Sequence, residues 1–182
     1  AALGAVASAV IVAAWALSTR LPAKAAFPRQ AADVGTAVID SRLAAVTERL
    51  ESDPENLDAL VEAGTLHYLK GEAYYRTAVN ELEEAWQLGA AQPRIFYYLG
   101  SIYQAEGLLP FAIKHYQRFV RNVPDDRETR LLLGRLLYQT GRHEDAVVQF
   151  QSLKTARGAT DPVIEENLGL SLLALKRFGE AA

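Results

Sequence analysis

Cysteine is absent from the 182 residues, which excludes disulfides, thiolate zinc sites, iron–sulfur ligation and a thiol nucleophile. The same absence leaves the redox compartment open. Methionine is also absent, position 1 included, so the sequence is expected to start inside a longer polypeptide or after processing. Neither sign of charge dominates. Nineteen Lys and Arg against 22 Asp and Glu give a net charge of −3, which supplies no basic surface for nucleic acid and no acidic tail. The histidines are His67, His115 and His143, and none has a partner three or four residues on that would complete a metal pair. His67 falls on the packing side of its helix and reads as a half-buried imidazole; His115 stands among charged residues and His143 in a turn. The turn "GRHED" lacks the strand and the Lys-Ser/Thr of a phosphate loop. Adjacent carboxylates such as Glu83-Glu84 and Glu165-Glu166 point to different sides of a helix. No catalytic residue, metal ligand or cofactor is expected, and the chain does not read as an enzyme.

Charge is also missing locally. Residues 1–19, "AALGAVASAVIVAAWALST", carry no ionisable side chain. As a helix they would span roughly 28 Å, about the hydrocarbon thickness of a bilayer. Trp15 near one end, with Arg20 and Lys24 beyond it, suits a membrane interface. Gly4 and Ser8, and Ala5, Ala9 and Ala13, fall at four-residue steps that allow close helix–helix approach. A retained single-pass transmembrane helix is the preferred reading. A signal peptide cleaved at Ala23-Lys24-Ala25 and a buried soluble helix are the alternatives. Residues 20–32, with Pro22 and Pro28, read as a stiff juxtamembrane linker.

What is present beyond the linker is a period. Gly64, Gly100, Gly134 and Gly169 recur at 34–36 residues, and Ala78, Ala112, Ala146 and Ala181 at 34–35. Leu82, Tyr116 and Phe150 recur at 34, each one helical turn after its alanine. Pro54 and Pro124 punctuate the joins. Each unit reads as two helices: apolar residues at helical spacing surround the glycine, and a break follows at Gly71, Gly107, Gly141 or Lys176. Asp161-Pro162 has the chemistry of a helix start. The first unit, about 57–91, has two extra residues in its inter-helix turn. Residues 33–52 place Val38, Ile39, Leu43, Val46 and Leu50 on one stripe and read as an additional packing helix.

The residues Leu99-Gly100-Tyr103-Ala112-Tyr116-Pro124, and Leu133-Gly134-Leu137-Gly141-Ala146-Phe150 after them, resemble the tetratricopeptide repeat (TPR) family. The resemblance covers 57–182 as about three and a half repeats, with the chain expected to continue. It implies an all-α, right-handed α-solenoid of helix–turn–helix units, here preceded by the transmembrane helix. Packing considerations put Leu99 and Tyr103 against the partner helix, with Gly100 permitting close approach, and leave Tyr98 unassigned. The family lines a concave groove with one stripe of each first helix. Carried over, that stripe is Val61, Thr65 and Tyr68; Tyr97, Ser101 and Gln104; Leu131, Arg135 and Tyr138; and Glu166, Leu170 and Leu173. Tyr68, Tyr97 and Tyr138 are the expected anchors and Arg135 the main charge, since Tyr and Arg often dominate interfaces. Packing against a neighbouring repeat is the competing role for each. The Lys and Asn residues of a carboxylate-clamping groove are missing from these positions.

The resulting expectation is a membrane-anchored protein–protein interaction scaffold or assembly factor within a larger membrane protein complex. Its partners would be other proteins, not nucleic acid. The alternatives are a purely structural accessory subunit with an empty groove, or the non-catalytic part of a longer enzyme. Arg20, Lys24 and Arg29 after the anchor favour a cytoplasmic repeat domain by charge. Resemblance to bacterial inner-membrane proteins of this layout favours a periplasmic one, which is the preferred side.

Overall fold

Side chains at the joins set the helix starts. Asn56 accepts a hydrogen bond from the Ala59 amide at 3.0 Å, Asp126 from the Thr129 amide at 2.9 Å and Asp161 from the Val163 amide at 3.1 Å. Each satisfies an amide that the first turn leaves without an intrahelical partner. The computed structural model describes residues 27–155 and 161–176. The segment 1–19 lies outside the described residues, and with it Gly4, Ala5, Ser8, Ala9 and Ala13. Among the described residues no helix is long and apolar enough to cross a membrane.

Eight α-helices and no strands occur among the described residues: α1 Thr36–Ser52, α2 Leu57–Lys70, α3 Tyr75–Gln87, α4 Arg94–Ala105, α5 Leu109–Asn122, α6 Arg127–Gln139, α7 His143–Thr155 and α8 Pro162–Ala174. The chain pairs α2 with α3, α4 with α5 and α6 with α7, and stacks each pair on the next. First helices also touch one another, α2 against α4 and α6 against α8. A solenoid follows, because a single pair buries its apolar face only against its neighbours.

The glycine register has a direct steric cause. A Cβ on Gly64 would lie 2.6 Å from Leu82 Cγ, one on Gly100 2.7 Å from Tyr116 Cδ1, and one on Gly134 2.6 Å from Phe150 Cε1. The large residue about two turns into each second helix therefore sits on the glycine of its own first helix. Gly107 ends α4 with φ +74°, a conformation that costs L-residues but not glycine. The corresponding break after α8 falls on Lys176, at φ 59°.

Helix α1 buries Ile39, Leu43 and Val46 against Ala59, Ala63, Leu66 and Leu69 of α2. Val38, expected on that stripe, is 49% exposed: it precedes Ile39 by one residue, so roughly 100° of helix rotation turns it away. The two extra residues of the first unit are taken up in a three-residue 3-10 turn, Glu72–Tyr74.

Candidate partner-binding groove

The first helices α2, α4 and α6 present one continuous face, and that face is occupied. Residues Phe27–Gln30, the described end of the 20–32 linker, run across it. Phe27 packs on Tyr97, Tyr98 and Phe119 with ring centroids 5.1, 5.5 and 5.8 Å away. Tyr98 donates its hydroxyl proton to the Pro28 carbonyl at 2.8 Å, and Tyr68 donates to the Arg29 carbonyl at 3.4 Å. Pro28 fixes its own φ and pushes Phe27 toward extended backbone, so the linker enters the groove already in a peptide-like conformation.

Arg29 is the centre of the contact and is only 7% exposed. Its guanidinium lies 4.2 Å from the Tyr97 ring centroid and 4.8 Å from that of Phe27. It forms an ion pair with Asp126, approaches Glu128 at 3.2 Å, and donates to Thr129 Oγ1 at 3.2 Å. Burial alone would lower the Arg29 pKa; contact with Tyr97 and the charge of Asp126 outweigh it and raise the value. Asp126 spends its other oxygen capping α6, so the carboxylate is fixed before any cation arrives. Below this socket, Asp33 accepts from the Arg29 and Gln30 amides at 2.8 and 2.9 Å, which turns the chain toward α1.

The expected groove residues separate into four kinds. Tyr68 is half-buried and touches the linker, and burial pushes its hydroxyl pKa to about 12. Tyr97 reaches the groove but is covered, at 4% exposure, by Phe27 and Arg29. Ser101 and Gln104 both hydrogen-bond the Tyr116 hydroxyl, at 3.1 and 3.0 Å, and are partly committed to packing. Arg135 is exposed, and Tyr138 is half-buried with its ring 5.1 Å from His143. Val61 and Thr65, carried over as lining residues, are buried at 0% and 6%; the stacking of α4 and α1 on α2 covers them.

Three further placements refine or correct the sequence reading. Tyr98, unassigned there, is fully buried in the groove wall. Tyr103, expected against the partner helix, stacks on His115 of that helix, is half-buried, and donates to Glu83 at 2.8 Å. His115, expected among solvated charges, is only 5% exposed and lies near the rings of Phe96 and Tyr103. Burial, helped by Arg118 and Lys114, pushes its pKa down to about 4. His67 pairs with Glu81 at 2.7 Å. No group of three or more metal-ligating side chains occurs among the described residues.

The paired helices, the glycine–aromatic packing and the groove on the first helices are the attributes of one repeat type. The tetratricopeptide repeat family model matches residues 97–162. The fold is a TPR-like solenoid. The crystal structure of YrrB, described as a TPR protein with an unusual peptide-binding site, superposes with a TM-score of 0.67 at 25% identity, over 79% of this chain and 72% of that one. A MamA structure (AMB-1) gives 0.71 at 16% identity, over 83% and 81%. A tetratricopeptide repeat protein from Parabacteroides merdae gives 0.65 at 15% identity, over 80% and 57%. No match was found among curated proteins. TPR proteins bind other proteins, and the occupied groove is the surface on which this solenoid meets an extended segment.

Missed by sequence reasoning were Phe27, Arg29, Asp126, Glu128 and Thr129. One signal was available: an aromatic residue beside a proline and an arginine is out of place in an otherwise alanine-rich spacer.

Proposed function

We propose that the chain is a membrane-anchored scaffold or assembly factor, part of a larger membrane complex, which holds segments of partner proteins in the α2–α4–α6 groove. The observation that carries this reading is the groove's occupancy by Phe27–Gln30, an extended segment held by aromatic contacts, carbonyl hydrogen bonds and an ion pair. A surface that holds one extended segment in this way has the shape and chemistry to hold another. The uncharged 1–19 segment, with its small-residue steps at Gly4, Ser8, Ala5, Ala9 and Ala13, supports the anchor and its packing on other transmembrane helices. From the end of that segment, the intervening residues 20–26 reach about 24 Å at most. The groove would therefore stay close to the membrane, where its partners are concentrated. We place the repeats on the periplasmic side of a bacterial inner membrane.

Site-specific photo-crosslinking in native membranes tests the reading. A crosslinker at exposed Arg135 on α6 is expected to capture a membrane-complex protein that one at exposed Val148 on α7 does not. Equal capture at both positions, or none at either, would refute a groove-based scaffold. Protease accessibility in spheroplasts checks the side of the membrane: cleavage of the repeats without lysis is the expected result.

A further inference from the structure

The linker and the groove make contacts that do not depend on their being one chain. Phe27 contributes a ring, Pro28 and Arg29 contribute carbonyl oxygens, and Arg29 contributes its guanidinium. The backbone–backbone hydrogen bonds of this stretch begin only at the Gln30 carbonyl, which accepts from Asp33. Any extended peptide with the same side chains could reproduce the contacts. The receiving surface, by contrast, is built into the solenoid. Tyr97 and Tyr98 stand on α4 and Thr129 on α6, and Asp126 is held by its cap on α6. Asp126 and Glu128 leave two negative charges at the edge of an aromatic wall, which calls for a cation with a flat, stackable face. Arginine meets that demand better than lysine, because its guanidinium both pairs with a carboxylate and lies against a ring.

We propose that the groove is a receptor for an extended aromatic–x–arginine segment of a partner protein, and that Phe27–Arg29 is its resident occupant, displaced when the partner binds. This rests on the scaffold reading and specifies its ligand. The tether gives the resident a high effective concentration, so it sets a threshold that only a partner of matching chemistry, present locally in quantity, exceeds.

The test uses a fluorescein-labelled peptide of residues 25–32, AAFPRQAA, titrated by anisotropy into the full chain. The Phe27→Ala/Arg29→Ala chain is expected to bind it about tenfold or more tightly than wild type, because the tethered competitor is gone. Arg29→Gln alone, which disturbs the fold least, is expected to show a smaller gain in the same direction. A peptide with alanine in place of its arginine should lose binding, and Glu128→Gln in the double-variant background should weaken it several-fold. Glu128 lies in the first turn of α6 without capping it, and an unchanged urea midpoint separates that loss from a folding effect. Equal binding by the wild-type and variant chains, or by the arginine and alanine peptides, overturns the proposal. So does a concentration-dependent dimer of wild type that Arg29→Gln abolishes, since the occupant would then come from a second copy. If the peptide fails to bind while Arg135 crosslinks persist, this inference falls and the scaffold reading stands. If the peptide binds but no crosslink forms, the groove's preference for this chemistry stands, and the scaffold reading falls together with the partner protein as its ligand.

Discussion

Replacing Gly100 by alanine isolates the steric logic of the repeat. A Cβ there would lie 2.7 Å from Cδ1 and 2.8 Å from Cε1 of Tyr116, well inside contact distance. The ring has little room to yield. It is 1% exposed, and its hydroxyl is hydrogen-bonded to Ser101 and Gln104, which follow Gly100 on the same helix. Overpacking costs about 1–3 kcal/mol, and contacts this short on a ring held at its hydroxyl fall in the upper part of that range, about 2–3 kcal/mol, while alanine returns about 1 kcal/mol of helix propensity over glycine. The net expectation is a loss of about 1–2 kcal/mol. In urea, with a slope of about 2 kcal/mol per molar, the midpoint should fall by roughly 0.5–1 M with the slope unchanged. Tyr116→Val removes the ring atoms that clash. In that background Gly100→Ala should become neutral or stabilising, giving a coupling of about 1 kcal/mol or more in a double-mutant cycle. A Gly100→Ala chain as stable as wild type, or one whose cost is the same in the Tyr116→Val background as with the tyrosine in place, would refute the idea that glycine is there to seat the tyrosine.

Two further perturbations follow from single residues. His115 is buried with its Nδ1 lacking a hydrogen-bond partner and its pKa lowered to about 4, by burial first and then by Arg118 and Lys114, so the unfolded chain takes up its proton first on acidification. Stability should be fully present above about pH 6.5 and fall by at most about 3 kcal/mol as pH drops to about 4; subtracting the urea profile of His115→Phe isolates this from the carboxylates, and a flat difference would exclude it. Lys176 holds φ 59° where the earlier repeats place glycine, so Lys176→Gly should stabilise by about 1 kcal/mol, read as a raised urea midpoint.

The repeat was legible in the sequence because it is written in steric terms that recur at every period. Gly100 with Tyr116 and Gly134 with Phe150 are local pairs, 16 residues apart in each case, and identical spacing implies identical geometry. Ser101 and Gln104 were placed on the correct helix, but not their engagement with Tyr116, because a stripe on one helix says nothing about hydroxyls arriving from the next. His115 was misplaced for a related reason: charges flanking a residue on the chain do not show what lies above it, here the rings of Phe96 and Tyr103 from α4. The filling of the groove was the hardest to read. The contact between Arg29 and Asp126 spans 97 residues and follows no period, and an alanine- and proline-rich spacer carries no hydrophobic pattern to mark it as packed.

That irregular contact bears on how the groove would work. Without Phe27 and Arg29, the rings of Tyr97, Tyr98 and Phe119 and the two carboxylates at the start of α6 would face water together. Exposed apolar surface of this kind favours association, and two neighbouring carboxylates without a cation repel each other. An empty groove is therefore an unfavourable state, and exchange of one extended segment for another avoids it. The side chains that must be satisfied, Tyr68, Tyr98, Asp126 and Thr129, are the same whichever segment is present. A partner that lacks the arginine would leave Asp126 and Glu128 without their cation and lose to the resident strap. The solenoid thus supplies a shape common to its repeat type, and under the proposed exchange the discrimination among partners would come from four residues, Phe27, Arg29, Asp126 and Glu128, that the repeat pattern does not specify.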